Sequence, residues 1–129
     1  MGTDKTRLDV LVIDDNPMVR TGLAKVAERA GYSVASAENG QVALDEISEH
    51  NFRVITCDVM MPVLDGIQFF ERLRESDPDS ASRVIFVTAW ADEPLVQRFV
   101  RQTGRPVLQK PFEMDEFIDA IKTIAESSR

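Results

Sequence analysis

Several residue types are scarce in this sequence, and each shortage excludes a class of site. The only cysteine among the 129 residues is Cys57, so an internal disulfide cannot form and a reducing compartment is favoured. The only histidine, His50, rules out multi-histidine zinc sites and argues against a histidine-based catalytic triad. Apolar runs reach about four residues, whereas a membrane span needs roughly 20, and the first residues lack a stretch typical of a signal peptide. These absences predict a cytoplasmic location.

Basic residues are also in the minority. The chain has 15 Lys+Arg against 22 Asp+Glu, which gives a formal net charge of -7. Nucleic acid and anionic membranes are therefore not expected as direct partners, because phosphate groups require a basic face, but a metal cation is not excluded. Hydrophobic residues make up 43% of the sequence, which is enough for a folded core. We predict one domain over residues 1–129, with its core at about 8–125.

Short β-branched runs alternate with segments of helical periodicity along the chain. The five predicted strands are Leu8–Ile13, Tyr32–Ala37, Val54–Cys57, Val84–Val87 and Pro106–Leu108. The five predicted helices cover about 17–30, 42–47, 67–75, 94–102 and 112–125, and 77–82 is predicted as a loop. This alternation indicates an α/β fold with helices on both faces of a parallel sheet. We predict a flavodoxin-like doubly wound five-stranded sheet, in the order 2-1-3-4-5 and with three α/β/α layers.

Polar side chains follow four of the predicted strands, at the point where each strand ends. Asp14 and Asp15 follow the first strand, Asp58 the third and Thr88 the fourth, and Lys110 comes shortly after the fifth. Ligands of doubly wound sheets bind beyond the carboxyl ends of the strands, where the strand order reverses. We therefore expect three carboxylates, one hydroxyl and one ammonium group to converge at one edge of the sheet.

The charges at this edge predict a metal site and a nucleophile. Two like charges about 4 Å apart repel by about 4 kcal/mol at an effective dielectric constant near 20, so a cation is expected among the carboxylates. Carboxylate oxygens are ligands that suit Mg²⁺, and an ionised carboxylate beside Mg²⁺ can attack phosphorus. Asp58 stands alone after the central strand, which suits the role of phosphoryl acceptor. The adjacent pair Asp14 and Asp15 suits the role of metal ligands.

These motifs closely resemble the receiver (response-regulator) domain of two-component signalling, over about Leu8 to Ala125. The matching segments are Asp14-Asp15, the D-x-x-M-P-x-x-D-G run from Asp58 to Gly66, Thr88-Ala89 and Lys110-Pro111-Phe112. The second motif is highly specific, and all four occur in the family's order and spacing.

The resemblance implies a role for each of these site residues. The catalytic residues would be the phosphoacceptor Asp58, with Lys110 and the switch hydroxyl of Thr88. The Mg²⁺ ligands would be Asp14 through water, Asp15, Asp58 and the backbone carbonyl of Met60. A cis peptide bond before Pro111 would aim Lys110 at the site.

The resemblance also implies partners. The phosphoryl group would come from a phosphohistidine on a sensor histidine kinase or a histidine phosphotransfer protein. The domain would catalyse only its own phosphorylation and dephosphorylation, and would not turn over a separate metabolite. The stretch Thr103–Phe112 resembles receivers of hybrid histidine kinases, so a fused kinase or output domain outside this chain stays open, as does a homodimer.

One position departs from the family's usual pattern, and two others carry large apolar side chains close to the expected phosphoryl group. Val107 stands three residues before Lys110, where the family usually has Tyr or Phe, so the usual aromatic rotation cannot occur. Met60 and Trp90 stand two residues after Asp58 and Thr88, where side chains flank the phosphoryl group in this family. Both are bulky and apolar, and we hypothesise that they restrict water and prolong the phosphorylated state.

Alternative functions remain open from the residues alone. A phosphohydrolase similar to the haloacid dehalogenase superfamily needs an acid two positions after its nucleophile, but Asn16 follows Asp14 at that spacing. A flavodoxin would need a Ser/Thr/Gly-rich phosphate loop where Asp14-Asp15 stands, and a receiver-like binding module with degenerate output is the third alternative. Ordinary structural roles are predicted for Cys57 as a buried core residue and for Asp65-Gly66 as a turn and helix cap. His50 is predicted to be an exposed cation at a helix end.

Overall fold

The computed structural model describes residues 5–61 and 63–127, in which strands and helices alternate. The strands are β1 (Thr6–Ile13), β2 (Val34–Ala37), β3 (His50–Asp58), β4 (Val84–Thr88) and β5 (Val107–Gln109). The helices are α1 (Pro17–Arg29), α2 (Gly40–Glu49), α3 (Gly66–Ser76), α4 (Pro78–Ala81), α5 (Pro94–Thr103) and α6 (Met114–Ser127). All strands are parallel in the order β2-β1-β3-β4-β5, which confirms the predicted fold class. Pro62 and the ends of the predicted domain, 1–4 and 128–129, lie outside the described residues.

The sheet is covered by apolar side chains on both faces, which explains why its strands show no alternation of polar and apolar residues. Along β1, Val10 and Val12 pack in a cluster with residues of α1 and α6. Leu11 and Ile13 pack in the opposite cluster with residues of α2, α3 and α5. These four side chains are at most 1% exposed, so β1 is held in the middle of three layers.

Local sequence signals set the helix starts near the carboxyl ends of the strands. The side chain of Asn16 accepts hydrogen bonds from the backbone N–H groups of Met18 and Val19, and Pro17 occupies the first turn of α1. Asp65 forms a capping box with Gln68 at the start of α3. The predicted cap role of Asp65 is confirmed.

Two local predictions are wrong. Residues 77–82, predicted as a loop, contain α4, because Asp77 caps the backbone N–H of Ser80 and Pro78 favours a first helical turn. His50 lies at the end of α2 as predicted, but it is half-buried instead of exposed and is also the first residue of β3. The reason is that β3 begins four residues earlier than predicted, with His50 paired to Thr6 of β1. Among the described residues, no helix combines the length and apolar composition that a bilayer crossing requires.

Gly66 allows α3 to begin directly against the end of β3. A Cβ atom at Gly66 would lie 2.5 Å from the carbonyl oxygen of Asp58 and 2.8 Å from Cα of Val59. Both obstacles are backbone atoms, so they cannot rotate away. The same α3 start is tied to this loop by a 2.9 Å hydrogen bond from the N–H of Gly66 to the carbonyl of Val59. The absence of a side chain at Gly66 therefore helps to position the backbone of Asp58.

We predict opposite stability effects for two Gly→Ala substitutions. Gly66→Ala should lower the free energy of unfolding by about 1–3 kcal/mol, because the new methyl group overpacks the backbone. Gly22→Ala, in the exposed middle of α1 with no atom within 4 Å of the added Cβ, should raise it by about 0.5–1 kcal/mol. Urea denaturation measures both values, and a Gly66→Ala chain as stable as Gly22→Ala would contradict the steric argument.

Candidate functional site

The first two carboxylates of the site lie at the end of β1 in different environments. Asp14 is buried, and its Oδ1 atom accepts a 3.0 Å hydrogen bond from the backbone N–H of Asn16. Asp15 is exposed. The N–H of Asp14 donates to the carbonyl of Ala37 at the end of β2, which continues the sheet pairing by one residue. Asp14 is thus fixed by main-chain contacts, while Asp15 faces solvent.

Asp58 ends the neighbouring strand β3 and lies beside this pair. The parallel register places Ile13 opposite Cys57, so the residues that follow them, Asp14 and Asp58, meet at the same edge. Asp58 is 8% exposed, which leaves a narrow approach to its carboxylate. Its Oδ1 atom accepts a 3.2 Å hydrogen bond from the backbone N–H of Met60. The buried end of the central strand therefore presents a carboxylate whose orientation is held by the following loop.

Thr88 and Lys110 reach the same edge from β4 and the segment after β5. Thr88 is fully buried, and its Oγ1 atom accepts a 2.9 Å hydrogen bond from the backbone N–H of Trp90. The backbone N–H of Lys110 donates to the carbonyl of Thr88 at 2.9 Å, which joins the two segments. The Lys110–Pro111 peptide bond is cis, as the resemblance implied.

The Lys110 ammonium group lies between two of the carboxylates. Its Nζ atom is 2.8 Å from Oδ2 of Asp14 and 3.3 Å from Oδ2 of Asp58. Burial lowers the pKa of Lys110, but hydrogen bonding to Asp14 and the charges of Asp58 and Asp14 outweigh it, so this pKa is raised. Lys110 therefore remains charged at neutral pH and offsets part of the acidic cluster.

The electrostatic cost of the cluster falls on Asp58. Burial raises the pKa of this carboxyl, the charge of Lys110 opposes the shift, and the charge of Asp14 adds to it. The net result is a raised pKa, because desolvation disfavours the ionised form and two carboxylates share one ammonium group. A further positive charge beside Asp58 would therefore stabilise the ionised form of its carboxyl group.

The three carboxylates are close enough to hold one metal ion. One oxygen each from Asp14, Asp15 and Asp58 lies within 4.8 Å of the others. The set consists of hard oxygen donors and combines two buried groups with one exposed group, so an ion bound there could keep water ligands. The acidic cluster is therefore compatible with a divalent cation, and the ligand role of the Met60 carbonyl stays a prediction.

The bulky apolar residues near the site are accessible. Met60 and Trp90 are each 54% exposed, and they follow Asp58 and Thr88 by two residues. Val107 is 40% exposed on β5, opposite Phe86 in the register with β4. The loops that carry the site therefore present apolar surface to solvent.

Arg20 contributes to the site and was missed by the sequence reasoning. Its Nη1 atom donates a 2.8 Å hydrogen bond to the backbone carbonyl of Asp14, six residues earlier. This contact ties α1 to the segment that carries Asp14 and Asp15. No sequence pattern signals this contact, because it depends on how α1 lies against the loop after β1.

Cys57 has the structural role that was predicted. It is fully buried, and its Sγ atom donates to the carbonyl of Asp58 at 3.2 Å. Burial and the nearby charge of Asp58 raise the pKa of the thiol, so it stays protonated and unreactive.

We predict that Asp58→Asn stabilises the metal-free protein at neutral pH. The pKa of Asp58 is raised on folding, so the wild type loses stability as pH rises from the unfolded-state value through the folded-state value. Asn lacks this loss, and an increase of about 1 kcal/mol, or roughly 3–5 °C in Tm, is expected at pH 7. The gain should vanish below both pKa values.

Thermal melts with a chelator, from pH 3 to pH 8, test this pH dependence. Asp92→Asn is the matched control, because Asp92 is an exposed loop acid and the substitution removes the same charge. A gain for Asp58→Asn that persists unchanged at acidic pH would contradict the electrostatic explanation.

Comparison with known proteins identifies the family. Residues 10–122 match the family model described as the response regulator receiver domain. The response regulator receiver protein CpdR of Brucella abortus (strain 2308) is 34% identical over 113 residues, which cover 88% of this chain and 92% of that protein. Sporulation initiation phosphotransferase F of Bacillus subtilis (strain 168) is 31% identical over 113 residues, which cover 88% and 90%.

A solved structure agrees with these relatives. The receiver domain of the Francisella response regulator 1452 has a TM-score of 0.83 and is 30% identical, covering 95% of this chain and 99% of that one. The fold, the strand-end carboxylates and the family match lead to one conclusion. The chain belongs to the response regulator receiver domain family of two-component signal transduction.

Proposed function

We propose that Asp58 accepts a phosphoryl group from a phosphohistidine, on a sensor histidine kinase or a histidine phosphotransfer protein. The observation that carries the proposal is the convergence of three carboxylates within 4.8 Å, with the Lys110 ammonium 3.3 Å from Asp58. A buried nucleophile with a nearby cation fits phosphoryl transfer, which depends mainly on positioning and on charge neutralisation. Neither the site nor the family match favours the phosphohydrolase, the flavodoxin or the degenerate module.

The residues of this chain divide the work of the transfer. An Asp58 oxygen forms the new O–P bond while the P–N bond breaks, and the electron pair of that bond stays on the imidazole nitrogen. Lys110 stabilises negative charge on the phosphoryl oxygens from the side of β5. The Thr88 hydroxyl accepts the Trp90 N–H and keeps its own proton to donate to a phosphoryl oxygen.

Mg²⁺ fits the donor set and is the metal that we propose. Asp14, Asp15 and Asp58 would hold it, with the backbone carbonyl of Met60, and it would supply charge neutralisation to the phosphoryl oxygens. The hydrogen bonds from Asn16 and Lys110 hold the Asp14 carboxylate in place for this role. The exposed Asp15 leaves room for water around the ion.

Phosphorylation is proposed to act on partners through the loops. The added charge lies where the loops after β3 and β4 meet, and it would shift them between two states. With Val107 on β5 in place of an aromatic residue, this change would run through the loop backbone instead of a ring rotation. We propose that residues 1–129 act as one cytoplasmic domain. This domain would catalyse only its own phosphorylation and dephosphorylation. A fused kinase or output domain, or a second copy, would be its output partner.

Acetyl phosphate with Mg²⁺ tests the acceptor directly. The wild type should gain the mass of one phosphoryl group, and Asp58→Asn should gain none. Asp92→Asn should behave as the wild type, because it removes an exposed acid outside the acidic cluster. Intact-protein mass spectrometry measures the modification. Equal labelling of Asp58→Asn and wild type would refute the assignment, and repeated turnover of a generic phosphomonoester would favour a hydrolase.

The apolar residues beside the site give a second prediction. Replacing Met60 with Asn and Trp90 with Glu should shorten the lifetime of the phosphorylated state by about tenfold, because polar groups beside the phosphoryl group can orient water for in-line attack. The decay of phosphorylated protein after removal of acetyl phosphate measures the lifetime. An unchanged decay rate in the double variant would rule out this shielding role.

A further inference from the structure

The edge of the sheet opposite to the acidic site contains a cavity with arginine side chains in its wall. Arg7, Asn51 and Arg53 line it from the starts of β1 and β3, and Ser80 and Arg83 line it from α4 and the turn before β4. The volume of this arginine cavity is about 350 Å³, which lies within the range of roughly 300–1,000 Å³ for small-ligand sites. Its wall is mostly polar, so a polar or charged group fits it best.

The two carboxylates in the wall of the arginine cavity already have partners. Both oxygens of Asp77 accept hydrogen bonds from Ser80, at 3.1 Å from the backbone N–H and at 2.7 Å from the hydroxyl group. Asp79 forms an ion pair with Arg83. Within the described residues, neither carboxylate forms an ion pair with Arg7.

Other cations without an acidic partner lie next to Arg7. A second cavity of about 370 Å³ shares Asp77 with the first, and Lys5 and Arg72 are in its wall. Over the part of the chain that the structure describes, Lys5, Arg7 and Arg72 form no ion pair. The two cavities together are lined by five basic and two acidic residues, a net charge of +3 in a chain whose net charge is -7. This edge is therefore a local site of positive charge.

The chemistry of the two walls selects a class of ligand. A guanidinium group such as that of Arg7 presents a planar fork of N–H donors that binds a phosphate group through two parallel hydrogen bonds. The wall of the second cavity also contains Leu44, Ile47 and Leu73, which can contact an apolar organic group. The net charge of -7 opposes the approach of a long polyanion, so the matching anion is a small one.

We propose that this edge of the sheet binds a small phosphate ester. The phosphate group lies in the arginine cavity, where Arg7 supplies the unpaired charge, and the organic group lies against the apolar side chains of the second cavity. The site is at the start of β3, whereas Asp58 is at the end of that strand. Binding here is therefore independent of the proposed phosphoryl transfer to Asp58.

An NMR titration with phenyl phosphate and with inorganic phosphate tests the site. The ¹⁵N-labelled protein is first freed of divalent cations by dialysis, so that no metal ion can hold an anion at the acidic edge, and the ionic strength is kept constant with KCl. Arg7→Gln removes the unpaired guanidinium and breaks no ion pair among the described residues. Arg98→Gln is the matched control, because it makes the same change at an exposed arginine on α5.

We expect saturable shifts of the backbone amide signals of Asn51, Ser80 and Arg83 with both probes. The Kd for phenyl phosphate should rise at least fivefold in Arg7→Gln, through the lost charge-assisted hydrogen bonds, and stay within twofold of wild type in Arg98→Gln. Inorganic phosphate should bind at least threefold more weakly than phenyl phosphate, because it lacks the apolar group. Shifts that do not saturate, shifts confined to the acidic edge, or equal Kd values for wild type and Arg7→Gln overturn the proposal. Equal affinity for the two probes overturns it as well.

Discussion

Repulsion among carboxylates at the edge of the sheet is the constraint on which the site depends. Asp14 and Asp58 are buried within reach of each other, and the ammonium group of Lys110 contacts both. The carboxyl of Asp58 responds with a raised pKa, because Lys110 and its hydrogen bonds do not fully offset burial and the charge of Asp14. The folded protein therefore carries excess negative charge at this edge. This charge would stabilise a bound metal ion, and the ion would in turn neutralise charge on the phosphoryl group.

The features that follow from chain direction were predictable from the sequence. In a parallel sheet all carboxyl ends lie at one edge, so Asp14, Asp58 and Thr88 had to meet once the strand order was known. Alternating β and α segments with right-handed crossovers narrow the possible strand orders, and the flavodoxin-like order was chosen among those that remain. Cap signals at Asn16 and Asp65 then fixed where the helices begin relative to that edge.

Features that depend on side-chain geometry or on distant contacts were not predictable. The Lys110 ammonium lies closer to Asp14 than to Asp58, and the strand order alone does not give this preference. The bond from Arg20 to the Asp14 carbonyl depends on how α1 lies against the loop, which no pattern encodes. The left-handed conformation of Val63 opposes its residue type, and it arises because the segments on both sides are held by other elements. Sequence patterns report local preference, and here the tertiary contacts override it.

Calorimetric titration of Mg²⁺ into the protein tests the account most directly. The account predicts one saturable site per chain, at least tenfold weaker in Asp15→Asn. Lys110→Met should bind Mg²⁺ more tightly than wild type, because the ammonium group no longer competes for the oxygens of Asp14 and Asp58. Absence of saturable binding, or an affinity that neither substitution changes, would contradict the claim that these strand-end carboxylates form one cation site.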